Sequence, residues 1–418
     1  CRKPNRAKPF PIPTSQTFRI PYIKMSIKLS ARVQAVKPSP TLAITARAAE
    51  MRAAGKDVIG LGAGEPDFDT PSHIKDAAIQ AIRDGFTKYT PVDGTASLKS
   101  AVIKKFKRDN GFDYKPEEIL VSCGGKQSFY NLAQAILDPG DEVIIPVPYW
   151  VSYPDMALLA GGAPVFAHAG AEQKFKITPS QLQAAITDKT RLVVINSPSN
   201  PTGMAYDSEE LEALGKVLLE YPRVVVATDD MYEHIRWSDQ PFVNILNACP
   251  GLRDRCMVLN GVSKAYSMTG WRIGYAGGPA EIIKAMKKIQ SQSTSNPTSI
   301  SQVAAQAALD GPQECIGEML TAFKERHDYV VERLNSMPGV ECLPSDGTFY
   351  CFPKISGALE RLDGVKNDLE LAEYLIEKAG VALVPGTAFG LAGHVRLSIA
   401  TSMENLRKAL DRIEKVLV

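Results

Sequence analysis

The chain has 418 residues, 44% hydrophobic and 22% charged, an ordinary composition for a globular enzyme long enough to need two cores. No uninterrupted apolar run approaches the ~20 residues of a membrane helix. The formal charge of +2 is uneven: residues 1–24 hold six basic residues and no acid, leaving −4 for the remainder, and a mildly acidic body argues against a nucleic-acid surface.

The basic head, "CRKPNRAKPFPIPTSQTFRIPYIK", begins with Cys1 and is rich in proline. It lacks the apolar core of a signal peptide; being basic and free of acids it fits a transit peptide, although it is not clearly amphipathic. We read residues 1–27 as a non-native or disordered extension, with Met25 as the expected native start. Residues 28–75 are then an arm that joins a small domain, 76–315 a large domain, and 316–418 the rest of the small one.

Along the body, "EVIIPVP" (142–148), "RLVVIN" (191–196), "RVVVAT" (223–228), "CMVLN" (256–260) and "RIGYAG" (272–277) are short apolar runs rich in branched residues. Such runs suit strands buried on both faces. Helical patterns lie between them. "KQSFYNLAQAIL" puts Phe129, Leu132, Ala133, Ile136 and Leu137 on one stripe and stops at Asp138-Pro139-Gly140. "DSEELEALGKVLLEYP" aligns Leu211, Leu214 and Leu218 behind a capping Asp207 or Ser208. Strands alternating with helices predict a mostly parallel, helix-clad sheet, an α/β fold. A long helix near 312–336, the runs "GVECL", "GTFYCFP", "VALVP" and "HVRLSIA", and a last amphipathic helix predict a smaller α/β unit.

Seven scattered cysteines without a CxxC pair fit free thiols, and five isolated histidines suggest no metal site. The chemistry is expected at the carboxyl ends of the parallel strands, where ligands bind in such sheets. "CGGKQS" ends one strand and opens a helix. Its Gly124-Gly125 pair suits a phosphate cradle at the helix start, or an ordinary glycine turn. "RVVVATDDMYEHI" ends a strand in Asp229 and Asp230, with Tyr232 close behind. In "HVRLSIA", Val395, Leu397 and Ile399 share one face, and Arg396 shares the other with Ser398. An arginine there serves a structural ion pair or grips a ligand carboxylate. "SKAYSMTGWRIGY" follows a buried-looking strand with Ser263 and Lys264, and Arg272 comes eight residues on. Taken alone, Lys264 fits a solvated turn as well as a working amine. Together, a lysine beside a phosphate cradle, an aspartate at a neighbouring strand end and a carboxylate-binding arginine are what pyridoxal phosphate catalysis requires.

From about residue 28 to 418 the chain resembles the fold-type I, class I aminotransferases. Within them it is most similar to the bacterial-type (gamma subgroup) aspartate aminotransferases, which include aspartate/prephenate enzymes. The stretches that carry the resemblance are "AGEPDFDTP", "KYTPVDG", "GGKQ", "PYWVSYP", "SPSNPTG", "DDMYEHI", "SKAYSMTGWRIGY" and "GHVRLSIATS", in that order.

The resemblance implies pyridoxal 5'-phosphate, with Lys264 as Schiff-base lysine and proton shuttle. It implies Asp229 at the pyridine nitrogen, Tyr232 and Asn200 at the phenolic oxygen, and Trp150 stacked on the ring. Gly125, the Lys126 amide, Ser263 and Arg272 would hold the phosphate, aided by Tyr89 from a second subunit. Arg396 would take the substrate's α-carboxylate, and Gly64 would close over it. The implied protein is a cytoplasmic homodimer of amino-acid biosynthesis, with active sites at the subunit interface. It would move the amino group of aspartate to 2-oxoglutarate by a ping-pong route, with prephenate as a further acceptor. An aromatic or alanine-type transaminase, or a β-lyase, is the alternative on the same scaffold.

Two departures stand out. Where the family usually reads Asp-Glu, this chain reads Asp229-Asp230. The animal-type enzymes take the substrate's second carboxylate with an arginine, but the corresponding "SQSTSNP" (291–297) contains none. In the gamma subgroup that role falls to Lys126 and to N-terminal residues, matched here by Lys37 and Thr41.

Overall fold

The computed structural model describes residues 27–418 except Ser39, Asp239 and Val418; the basic head and Met25 lie outside the described residues. In chain order the strands are β1 (Ile59–Gly60), β2 (Ile119–Ser122), β3 (Glu142–Val147), β4 (Ala163–His168), β5 (Thr190–Asn196) and β6 (Val225–Asp229). They continue as β7 (Cys256–Gly261), β8 (Gly274–Gly277), β9 (Tyr350–Cys351), β10 (Val381–Ala382), β11 (Val384–Pro385) and β12 (Val395–Ser398).

Seven strands make one sheet in the order β2-β8-β7-β6-β5-β3-β4. Strands β4, β3, β5, β6 and β7 run parallel, whereas β8 is antiparallel to both β7 and β2. The expected run "RIGYAG" is therefore a strand, but not one of the parallel set. The connection from β7, residues 262–273, holds a single helical turn and no crossover helix, which a parallel return normally uses.

Alternate residues of the central strands enter two different cores. Ile144, Val193, Val226 and Val258 pack on one face, and Val143, Ile145, Val194, Ala227 and Leu259 on the other. Each is almost wholly buried, and burying one such side chain contributes roughly 1.5–3 kcal/mol. The helix Gly125–Ile136 lays Phe129, Leu132 and Ala133 on the second face. Asp207, rather than Ser208, caps the helix Ser208–Leu219: its carboxylate accepts from the Glu210 amide and the Glu210 side chain reaches back.

A separate core joins the helices Glu314–Asn335 and Met403–Leu417 to the short sheets β11-β12-β9 and β1-β10. Strand β1 pairs in parallel with β10, Ile59 beside Val381, so the N-terminal arm is tied to the C-terminal part of the chain. Val395, Leu397 and Ile399 fill this core, and the alternation turns Arg396 away from it.

Candidate active site

A cavity of about 370 Å³ opens at the carboxyl ends of the parallel strands. Sheet topology delivers most of its lining. Asn196 ends β5, Asp229 ends β6, Ser263 and Lys264 follow β7, and Trp150 follows β3. The arm closes it from above with Ala63, Gly64 and Glu65, and the helix Pro40–Ala53 adds Thr41 and Thr45. Four cations (Lys126, Lys264, Arg272, Arg396) face two carboxylates (Glu65, Asp229) across this space, so the cavity suits an anionic ligand.

Lys264 Nζ donates to the Gly64 carbonyl and sits 5.9 Å and 5.6 Å from the Tyr232 and Phe349 ring centres. Burial, followed by the nearby Arg396 and Arg272 cations, brings its ammonium down to about 8, so the neutral amine is accessible near physiological pH. One oxygen of Asp229 accepts from the Tyr153 hydroxyl at 2.6 Å and the other from the Met231 amide at 3.2 Å. Burial pushes the Asp229 carboxyl up, against the pull of Tyr153, Met231 and Lys264.

The helix Gly125–Ile136 begins at the cavity wall with no side chain capping it, so its first amides are available to an anion. Gly124 has φ 86°, and a Cβ there would collide with the Arg272 guanidinium, so only glycine lets the arginine lie over the turn. Arg272 itself donates to the Thr269 carbonyl at 2.8 Å. Ser263, which lines the same cavity, is buried, and Lys126 Nζ lies 5.2 Å from the Trp150 ring centre. Partial burial and Arg272 hold the Lys126 ammonium below its ordinary value.

Arg396 is buried, with Nη1 donating to Asn200 Oδ1 at 2.8 Å and Nη2 to the Gly62 carbonyl at 2.9 Å. Its Nε–H has no partner, and among the described residues no carboxylate pairs with it. Among the described residues the structural ion pair considered for this arginine is therefore absent, and Arg396 stands in the cavity wall with its buried Nε–H unsatisfied. Thr41 Oγ1 is a second buried atom of the cavity wall without a partner among the described residues.

The structure thus gathers Lys264, Asp229, Tyr232, Gly125, Lys126, Trp150, Asn200, Ser263, Arg272, Gly64, Arg396 and Thr41 around one space. Two expected residues are not brought there by this chain alone. Tyr89 is 92% exposed and lies outside the cavity lining, and Lys37 is exposed with its backbone facing Asp155. Sequence reasoning missed Tyr153 and Tyr350, both in the wall and both buried. It also gave no sign of the convergence of Asp109, Glu233 and His234, whose ligand atoms lie within 4.8 Å of one another, with the Lys105 ammonium paired to Glu233 in their midst.

An α/β sheet with a lowered amine, a buried carboxylate and a bare helix start at its strand ends defines a class of enzyme. The chain belongs to the family of class I and II aminotransferases, whose model matches residues 56–413. It is 63% identical over 396 residues to the aspartate/prephenate aminotransferase of Nitrosomonas europaea, covering 94% of this chain and 100% of that one. It is 52% identical to the aspartate aminotransferase of Geobacillus stearothermophilus, covering 93% and 98%. Among solved structures it is similar to the aspartate aminotransferase of Rhizobium meliloti, with TM-score 0.91, 49% identity and coverage of 94% and 99%. The Thermus thermophilus aspartate aminotransferase with maleate gives TM-score 0.88 at 45% identity, covering 94% and 100%.

Proposed function

We propose that this enzyme transfers the amino group of aspartate to 2-oxoglutarate with pyridoxal 5'-phosphate as cofactor, and that prephenate is a further acceptor. The observation that carries the reading is the Lys264 amine, lowered to about 8 in a cavity where four cations face two carboxylates. The donor set fits the cofactor. The uncapped helix start, Ser263 and Arg272 suit its phosphate, and Asp229 suits its pyridine nitrogen. When bound, pyridoxal phosphate supplies a carbonyl to attach the amine and a ring that accepts the electrons of the substrate's Cα–H bond.

The chain's own residues do the rest. Lys264 Nζ would be the attachment point for the cofactor's carbonyl and, once the incoming amine has displaced it, the base and acid that moves the proton at the substrate α-carbon. Asp229 would pair with the protonated ring nitrogen, a cation that offsets the burial now raising its carboxyl. Tyr232 and Asn200, both in the cavity wall, would meet the phenolic oxygen, and Trp150 would cover the ring. Arg396, a cation in the cavity wall without a carboxylate partner among the described residues, would take the α-carboxylate, and Gly64 leaves room above it. For the second carboxylate of aspartate, 2-oxoglutarate or prephenate, Lys126 is the cation at hand, with Thr41 and Lys37 on the arm side. Support for dicarboxylate preference comes from the aspartate and aspartate/prephenate aminotransferases among the relatives above and from the cavity's excess of cations.

The same reading makes the protein a homodimer whose sites are completed by Tyr89 of the second subunit. Ile79, Ile82, Phe86 and Tyr89 form an exposed run of apolar side chains, as a self-complementary interface needs. Purified protein tested with a panel of amino donors and oxo acids, with borohydride trapping, decides the reading. We expect a visible band that borohydride removes, a label on the peptide containing Lys264, and fastest turnover with aspartate and glutamate. A Lys264→Ala protein that transaminates at the wild-type rate overturns it, and equal rates with alanine or phenylalanine shift it to the broader transaminase class.

A further inference from the structure

Tyr350 is the residue of β9 that reaches the cavity, and its surroundings give its hydroxyl one task. The side chain is fully buried, beside Ser398 of the neighbouring strand β12. Its Oη lies 3.0 Å from Tyr232 Oη, and among the described residues it has no other hydrogen-bond partner. The two rings stand at 72° with centres 5.9 Å apart, so contact is made through the oxygens. Gly64 closes the third side: a Cβ there would come within 3.0 Å of the Tyr350 oxygen. The Arg396 guanidinium lies 4.3 Å from the ring centre, a cation–π contact that draws electron density from the phenol and makes it a better donor.

Both hydroxyls keep their protons. Burial raises the Tyr232 phenol well above its ordinary value, and Tyr350 raises it further, while burial also raises Tyr350 against the pull of Arg396. The other charged groups acting on this pair are Asp229 for Tyr232 and Glu65 for Tyr350. A phenol has one proton to give. If Tyr232 spends its proton on a ligand in the cavity, the contact with Tyr350 survives only if Tyr350 is the donor.

We propose that Tyr350 is a positioning residue: it donates to Tyr232 Oη and so turns the Tyr232 proton into the cavity, toward the cofactor's phenolic oxygen. This rests on the function proposed above, in which Tyr232 meets that oxygen. The polarity of the chain matters because hydrogen bonds in series strengthen one another in a low-dielectric site. A stronger donor at the phenolic oxygen leaves that oxygen less able to retain the proton on the adjacent lysine nitrogen. Tyr350 therefore lowers the pH at which the visible band of the holoenzyme changes.

The test is a spectral pH titration of the holoenzyme, free of substrate, in four forms: wild type, Tyr350→Phe, Tyr232→Phe and the double variant. Tyr350→Phe is expected to raise the midpoint by about 0.5–1 pH unit, the size of one ordinary hydrogen bond. Tyr232→Phe is expected to raise it further, and the double variant to match Tyr232→Phe alone, because Tyr350 acts only through Tyr232. A merely structural tyrosine would lower the melting temperature and leave the midpoint in place. Replacement of Tyr350 by 3-fluorotyrosine, which keeps the ring and is a stronger acid, should move the midpoint down and tests the same point without loss of the hydroxyl. An unmoved midpoint in Tyr350→Phe, or additive shifts in the double variant, overturns the proposal. Absence of any visible band in the wild type would instead overturn the cofactor reading itself.

Discussion

Asp229 and Tyr232 face the cavity, whereas Asp230, Glu233 and His234, from the same turn, face a polar cluster behind it. In that cluster donors and acceptors are spent on one another. Glu233 accepts from Asn110 at 2.8 Å and Asn260 at 2.7 Å and pairs with the fully buried Lys105. Lys105 also donates to Asn110 Oδ1 at 2.9 Å, and Asp230 accepts from Thr228 at 2.6 Å and from Asn244. Burial opposes ionisation of Glu233, but Lys105, His234 and Asn110 hold its carboxyl below the ordinary range. On the cavity side the opposite holds: Arg396 keeps an unpartnered Nε and meets no carboxylate among the described residues. A closed buried network is a matter of stability, and an open one with excess charge is a matter of binding.

Cutting the closed side should therefore show in unfolding. Lys105→Met leaves Glu233 buried without its cation, and unfolding free energy should fall by roughly 3–5 kcal/mol in urea titration. The fraction that remains folded should keep its turnover. Cutting the open side should show in kinetics. Arg396→Leu is expected to cost roughly 2–4 kcal/mol in kcat/KM for aspartate, or about 30- to 1000-fold. The apo form should lose no more than about 1 kcal/mol, because an unpaired buried cation is itself costly. Similar melting losses for the two variants would erase the distinction between the two faces.

Much of this division could not be read from the residues in order. The parallel strands β3, β5, β6 and β7 were legible as apolar runs because both of their faces are buried. Strand β4 was not, since "APVFAH" is an edge strand with Ala163, Phe166 and His168 open to solvent and a proline near its start. Lys105 sits in "VIKKF", which reads as a solvated helix face. Only packing against residues more than 120 positions away makes it a core group. The cavity was easier, because Lys264, Arg272, Asp229 and Arg396 are charged residues set at the ends of apolar strands. Tyr153 and Tyr350 lay in aromatic stretches and look like ordinary core. Their hydroxyls gain meaning only through Asp229 and Tyr232, 76 and 118 residues away in sequence.

Within the open side, Lys126 sharpens the comparison by separating substrate from cofactor. Among the described residues it is the lining cation without a carboxylate or carbonyl partner, and it lies over Trp150. Lys126→Met should weaken aspartate and glutamate by roughly 1.5–3 kcal/mol, about ten- to a hundredfold in kcat/KM, and spare alanine or phenylalanine. Equal losses for acidic and neutral donors would assign the side chain to the cofactor phosphate.

The smallest expected effect concerns Lys264 before any cofactor is present. Its folded-state value of about 8 lies below the ordinary 10.5, chiefly through burial and then through Arg396 and Arg272. The folded protein thus releases this proton near pH 8, while the unfolded chain keeps it to about 10.5. Between those values the unfolded state binds more protons, so stability of the apoprotein should rise with pH, and below about 8 this group adds no slope. The same shift governs capture of the cofactor, because only the neutral amine attacks a carbonyl. Mixing apoprotein with pyridoxal phosphate and following the visible band should give a rate that climbs about tenfold per pH unit below the midpoint and levels above it. Arg396→Leu removes the first of the two cations that depress Lys264, so its midpoint should lie higher than the wild type's. A rate still climbing through pH 9 in the wild type would mean that the amine is not depressed, and that the open side carries no more electrostatic bias than the closed one.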